Sequence, residues 1–345
     1  MDIVLLVVAL LVIVAGSAVF TNGIEWIGED LGLSEGAVGS VLAAIGTALP
    51  ETALPFVAIL TGRATGNEVG VGAILGGPFM LGTLGMCLLG ASVLRFARSR
   101  RRPPVLQAEP SVIGQDLGYF SVAFALGILA GVWHVKAFRW VLAVALLAGY
   151  GFYVYRHFHQ PGEAEIEKEA SGAIQPLYFR RWLARVSDRA GAWAPKPPLW
   201  ATIVQTLAGL AMIVGGARLF VTSIDTITAS FHIPSLPFAL LVAPVATELP
   251  ELMNSVLWIR RRKDTLAAGN VTGAMVFQAT FPMIIGLLGT SWRLSGVALA
   301  AALITLGAST MVWLVAKVRR TLTPLFLVPF GAVFVVYAVV VISTF

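Results

Sequence analysis

Two short segments of this 345-residue chain bring acids, hydroxyls and prolines together inside apolar sequence: GTALPE at 46–51 and ATELPE at 246–251. Thr47 and Glu51 are spaced i, i+4, as are Thr247 and Glu251, so each pair shares one face of a helix. Glu248 lies three residues before Glu251 and joins that face. Pro50 and Pro250 have no N–H and crowd the carbonyl four residues back, which frees the oxygens of Gly46 and Ala246. Each segment therefore offers carboxylate, hydroxyl and unpaired carbonyl oxygen at one depth. Hard cations want that set: calcium takes roughly six to eight oxygens at about 2.3–2.6 Å, with no histidine or cysteine. The bland alternative is a pair of protonated glutamates that merely hold helices together. Duplication of the cluster beside helix-breaking prolines argues against it.

The elements that carry these residues are membrane spans. The chain is 57% hydrophobic and 12% charged, with a mean hydropathy of +0.85. Soluble domains hold about 25% charged residues, so this chain lacks the polar surface to face water all round. Hydropathy and breakers predict ten spans at about 2–23, 36–60, 69–94, 113–132, 138–157, 200–221, 236–259, 266–288, 294–316 and 322–344. The apolar runs are continuous, which excludes the alternating pattern of a β-barrel. The first run has no positive n-region and no clear cleavage site, and is read as the first mature helix, not a signal peptide. Cys87 is the only cysteine, so no intrachain disulfide or multi-thiolate metal site is available.

The net charge of +6 invites a nucleic-acid reading, but the basic residues cluster at span ends. The odd-numbered connections hold 19 Lys and Arg against 4 in the even ones. That bias places both termini on the non-cytoplasmic side. Trp26, Trp133, Trp200 and Trp292 fall near span ends and are expected in interfacial belts. Asn67, Glu68 and Asn270 are expected as helix caps, and His134, His157, His159 and His232 as surface or interfacial residues. The longest polar stretch contains GEAEIEKEA (162–170), expected as a short solvated cytoplasmic helix.

The two halves are related by a shift of 200 residues. Over 13–51 against 213–251, eleven positions are identical, among them Gly16, Phe20, Thr47, Leu49, Pro50 and Glu51. The halves divide as a first five-helix repeat (1–157), a cytoplasmic linker (158–199) and a second five-helix repeat (200–345). Five spans per copy put the second copy in the membrane upside down. In secondary transporters the site then lies at the midplane, where the repeats meet.

At these residues the chain resembles the cation/calcium exchanger superfamily, which includes sodium/calcium exchangers. The repeats of that family read roughly G-T-S-L-P-E followed, one helix later, by G-N-V-x-G-S-N-I-F-N. Here the second elements are GAILGGPFML (72–81) and GNVTGAMVFQ (269–278). The family's ligand serine corresponds to Gly77 and Ala274, and its last position to Leu81 and Gln278. Glu248 replaces a serine of the first element and adds a carboxylate.

The resemblance implies an all-α polytopic protein of ten transmembrane helices in two inverted repeats. It implies a secondary active antiporter that exchanges calcium or another divalent cation for sodium or protons by alternating access. The implied ligands are Glu51, Glu248, Glu251, Thr47, Thr247 and Gln278, with the carbonyls of Gly46 and Ala246. Their nine side-chain oxygens exceed what one calcium needs but are thin for several sodium sites. Three crowded carboxylates in low dielectric should also take up protons when no cation is bound.

No cofactor is expected beyond the transported cations. The expected partners are inorganic cations and membrane lipids, with no nucleic acid and no obligate protein partner. The location is a multi-pass plasma membrane, as in a prokaryotic inner membrane. The rival classes are an intramembrane enzyme using Glu51 and Glu251 as an acid/base pair, a channel, and a structural membrane protein.

Overall fold

The computed structural model describes residues 2–30, 43–61, 65–100, 104–158, 175–179, 197–319 and 321–343. In lipid each backbone N–H and C=O must be satisfied within its own segment, and long apolar runs fold as helix for that reason. Among the described residues no strand forms, and a single antiparallel bridge joins Leu106 to Leu322. In chain order the helices are α1 (Asp2–Asp30), α2 (Ala43–Leu60), α3 (Gly66–Met80), a π segment (Leu81–Gly85), α4 (Met86–Arg100), α5 (Pro110–Trp133) and α6 (Lys136–Phe158). There follow α7 (Leu199–Phe231), α8 (Ser235–Thr247), α9 (Leu249–Arg260), α10 (Asp264–Gln278), α11 (Phe281–Gly289), α12 (Gly296–Arg319), α13 (Pro324–Leu327) and α14 (Pro329–Ser343).

The molecule is an all-α membrane protein. Eight helices among the described residues are long and apolar enough to cross a bilayer, and nine if the bent pair α8–α9 counts as one span. The expected ten exceed this by one. The difference is the second span, expected over 36–60: its first residues lie outside the described ones, and α2 begins at Ala43. Large apolar side chains on α1, α6 and α14 point outward, among them Leu11, Val141, Val144, Val336 and Val340. Such a surface suits lipid.

Helices α1 and α7 cross closely through glycines. A Cβ at Gly16 would lie 3.0 Å from Ile213 N and 3.1 Å from Gly209 O. A Cβ at Gly216 would lie 3.2 Å from both Ile13 N and Ala9 O. Under the 200-residue shift these two contacts exchange places. Small residues allow this approach where packing, not the hydrophobic effect, joins helices in lipid. The pair shares a buried cluster with α2 and α8, while a larger core joins α3 to α6 with α8 to α14.

Several smaller expectations change. Trp133 and Trp200 are exposed, as interfacial residues are, but Trp26 and Trp292 are buried. Their indole N–H groups donate to Gln175 O (3.0 Å) and Gly127 O (2.9 Å), which explains how two polar rings are tolerated inside. His134 and His232 adopt left-handed backbone conformations and close the C-terminal ends of α5 and α7; His157 has no described side chain, and His159 lies outside the described residues. The GEAEIEKEA segment also lies outside the described residues. Residues 175–179 of the linker lie against α1 and α7. Asn22 donates to Gln175 O (2.9 Å), while the N–H groups of Tyr178 and Phe179 donate to Asn22 Oδ1 and Gln205 Oε1.

Candidate cation site

Helix breaks place the site, and they are unequal in the two halves. Helix α8 stops at Thr247, and α9 leaves at 49° to it. Glu248 is the hinge residue: its N–H donates to Pro244 O (2.8 Å), while Pro250 has no N–H to return to Ala246 O. Ala246 is buried at this bend. In the first half the expectation of a break fails. Helix α2 runs on through Pro50 and Pro55 without interruption. Gly46 and Thr47 lie in its first turns, and their side-chain surroundings are outside the described residues.

The second elements also lose regular geometry, at matching positions. Helix α3 passes into the π segment at Leu81, and α10 ends at Gln278. Pro282 in the first turn of α11 has no N–H for Gln278 O. Single π turns inside α-helices concentrate at functional sites.

The α8–α9 bend and the unbroken α2 bring Glu51, Glu248 and Glu251 together. One carboxylate oxygen from each lies within 4.8 Å of the others, and all three side chains are buried. Two oxygens bound to one calcium can be about 5 Å apart, twice the usual bond length, so one ion can reach all three. Glu248 is held at both oxygens: the Thr247 hydroxyl donates to Oε1 (2.9 Å) and Gln278 Nε2 to Oε2 (2.8 Å). Glu51 Oε2, Glu251 Oε2 and Gln278 Oε1 are buried and find no donor among the described residues. Buried oxygens left without donors are costly, and a bound cation satisfies them.

Of the eight sequence-derived ligands, Glu51, Glu248, Glu251, Thr247 and Gln278 converge. Ala246 offers its carbonyl at the bend, and the roles of Gly46 and Thr47 lie outside the described side chains.

Two residues take roles that differ from those expected of them. Asn270 is not a cap. It sits within α10 and donates to Glu251 O (2.9 Å) and Ser255 Oγ (3.1 Å), fixing the backbone that carries Glu251. The signal was present in its match to the Asn of the family's second element. Gly77 is no mere loss of a ligand: a Cβ there would lie 2.8 Å from Glu248 Oε1 and 3.0 Å from Gln278 Oε1. Gly77 leaves the room that the extra carboxylate and the amide occupy.

Comparison with known proteins decides the family. Residues 1–158 and 201–343 match the family described as sodium/calcium exchanger protein. The chain belongs to that family. It is therefore a cation antiporter and not an enzyme. Among its relatives is the putative antiporter CaxA of Alkalimonas amylolytica, 24% identical over 285 residues, which cover 81% of this chain and 78% of the relative. Two solved structures share the fold. The H+/Ca2+ exchanger CAX superposes with a TM-score of 0.69 at 15% identity, over 99% of this chain and 87% of that one. The sodium-calcium exchanger NCX_Mj superposes with a TM-score of 0.54 at 18% identity, over 97% of each chain.

Proposed function

We propose that Glu51, Glu248 and Glu251 form the transport site of an antiporter that moves calcium, or a divalent cation of similar size, against protons. The observation that carries this reading is the trio of buried carboxylates within 4.8 Å, with three neighbouring oxygens that lack donors. Gln278 and Thr247 complete the first contacts, and the Ala246 carbonyl is available beside them. A divalent ion offsets two of the three negative charges. Without it, like charges this close in low dielectric cannot all remain ionised, so the site must take up protons. Cation and proton then compete for one set of oxygens. Competition of that kind couples their movements in opposite directions. Sodium coupling would need further oxygen-lined sites, and the described side chains that converge here are already engaged by one cation.

The reciprocal contacts of Gly16 and Gly216 support an inverted repeat, with ten spans and the site between the halves. The excess of Lys and Arg in odd-numbered connections supports non-cytoplasmic termini in a prokaryotic plasma membrane, with lipid against the outward apolar faces. Calcium uptake into proteoliposomes, driven separately by a pH gradient and a sodium gradient, tests the coupling. Uptake driven by the pH gradient alone, with protons moving oppositely, is expected. Strict sodium dependence without proton movement would refute proton coupling.

A further inference from the structure

A fourth buried carboxylate stands apart from the three glutamates. Asp116 lies in the second turn of α5, is 2% exposed, and is held from two other helices. Tyr153 of α6 donates its hydroxyl to Oδ1 (2.8 Å), and Thr272 of α10 donates to Oδ2 (2.5 Å). The hydroxyl of Thr272 also lies 3.1 Å from Ala268 O in its own helix. One hydroxyl proton cannot serve both acceptors fully, and the network resolves this in two ways. With Asp116 ionised, Thr272 donates across to Oδ2. With Asp116 protonated at Oδ2, the acid donates to Thr272 Oγ1, and Thr272 turns its proton to Ala268 O. Tyr153 donates to Oδ1 in both states. Neither state leaves a donor without an acceptor, so one proton can be added or removed without orphaning any group of the network.

The elements packed on α5 are α6, α10, α11 and α12, and among the described residues they put no cation against this carboxyl. On α6 the facing groups are Tyr153 and Tyr150, with Tyr119 of α5 5.4 Å from Tyr153 between ring centres; Tyr155 and Arg156 are exposed, and Lys136 and Arg139 lie at the far end. On α10 the titratable residue is Asp264, which accepts from the Gln107 N–H, and α11 carries none. On α12, Lys317 sits 5.0 Å over the Trp313 ring, with Arg319 beyond it. An acid inside a membrane span without a countercharge is a functional candidate by default.

We propose that Asp116 is a second proton-binding site, and that its proton sets how firmly α10 is tied to α5. Helix α10 also carries Asn270, bonded to Glu251 O, and Gln278, bonded to Glu248. Thr272 lies six residues, about 9 Å along the helix axis, from Gln278. Protonation replaces the charge-assisted bond from Thr272 by a neutral bond from the acid to Thr272, which is weaker, and so biases the helix that holds two contacts of the cation site. This coupling rests on the exchanger reading; the proton site itself does not.

The experiment has two arms. In the first, infrared difference spectra of the solubilised full-length protein are recorded while pH is varied, for wild type, Asp116→Asn and Glu51→Gln. The amide introduced by Asp116→Asn keeps the acceptor for Tyr153 and offers an N–H to Thr272, imitating the protonated state. A protonated-carboxyl band that survives in Glu51→Gln and is lost in Asp116→Asn is expected; the same bands in wild type and Asp116→Asn overturn the proposal. In the second, the pH profile of calcium uptake should lose one ionisation step in Asp116→Asn. Should that variant not fold, Tyr153→Phe and Thr272→Val carry the test. Each removes a donor from the ionised form and should displace the step, and an unmoved step in both refutes the site. Absence of uptake by wild type would refute the exchanger reading and leave the infrared result standing.

Discussion

Gly77 and Glu248 act as one unit. The position that has lost a side chain faces the position that has gained a carboxylate, and the gap left by the first is filled by the second. A Gly77→Ala substitution should push Glu248 off its bonds to Thr247 and Gln278. Overpacking of this kind costs about 1–3 kcal/mol, and about 1.4 kcal/mol is a factor of ten. A loss of about tenfold in calcium affinity is expected by calorimetry, and an unchanged affinity would place Glu248 outside the site. The identities of the acids were legible in the sequence, because a glutamate deep in an apolar span is costly and its repetition is hard to obtain by chance. The pairing of positions 77 and 248 was not, since they lie on helices remote in sequence that only packing brings together. Asp116 escaped for a related reason. It recurs in no motif, and its partners Tyr153 and Thr272 come from two other helices.

At the scale of elements, the same proline acts differently in the two halves. Pro250 follows a hinge at Glu248, whereas α2 continues through Pro50. The second half also has Pro244, whose counterpart under the 200-residue shift is Ala44. Each proline removes one helical bond, but α2 also holds two prolines, Pro50 and Pro55, and does not break, so prolines alone do not make the bend. A Pro250→Ala variant restores the N–H that Ala246 O lacks and should straighten the α8–α9 bend. Pro250 stands in the first turn of α9, where proline is tolerated, so this variant should stay folded while calcium uptake falls severalfold. A straightened variant of equal activity would separate the bend from transport. Sequence analysis could mark both prolines but could not weigh each break against its surroundings.

At the scale of the whole molecule, both halves of the chain contribute to one cluster of acids. Glu51 comes from the first half, and Glu248 and Glu251 from the second. The overall class was legible because bilayer thickness fixes the length of each apolar run. The first elements of the two halves align at a shift of 200 residues and the second elements at 197. The span count differs by one where the first residues of the second expected span lie outside the described ones. The bent pair α8–α9 carries Glu248 and Glu251, while the unbroken α2 carries Glu51. The contacts of Gly16 and Gly216 exchange under the 200-residue shift, so the sequence symmetry has a physical counterpart in the α1–α7 crossing. The most direct test of the account is calorimetric calcium binding to the purified protein and to its Glu51→Gln and Glu251→Gln variants. The account predicts binding to the wild type and its near-complete loss in each folded variant, with one glutamate removed from either half. Wild-type affinity retained in both variants would contradict it.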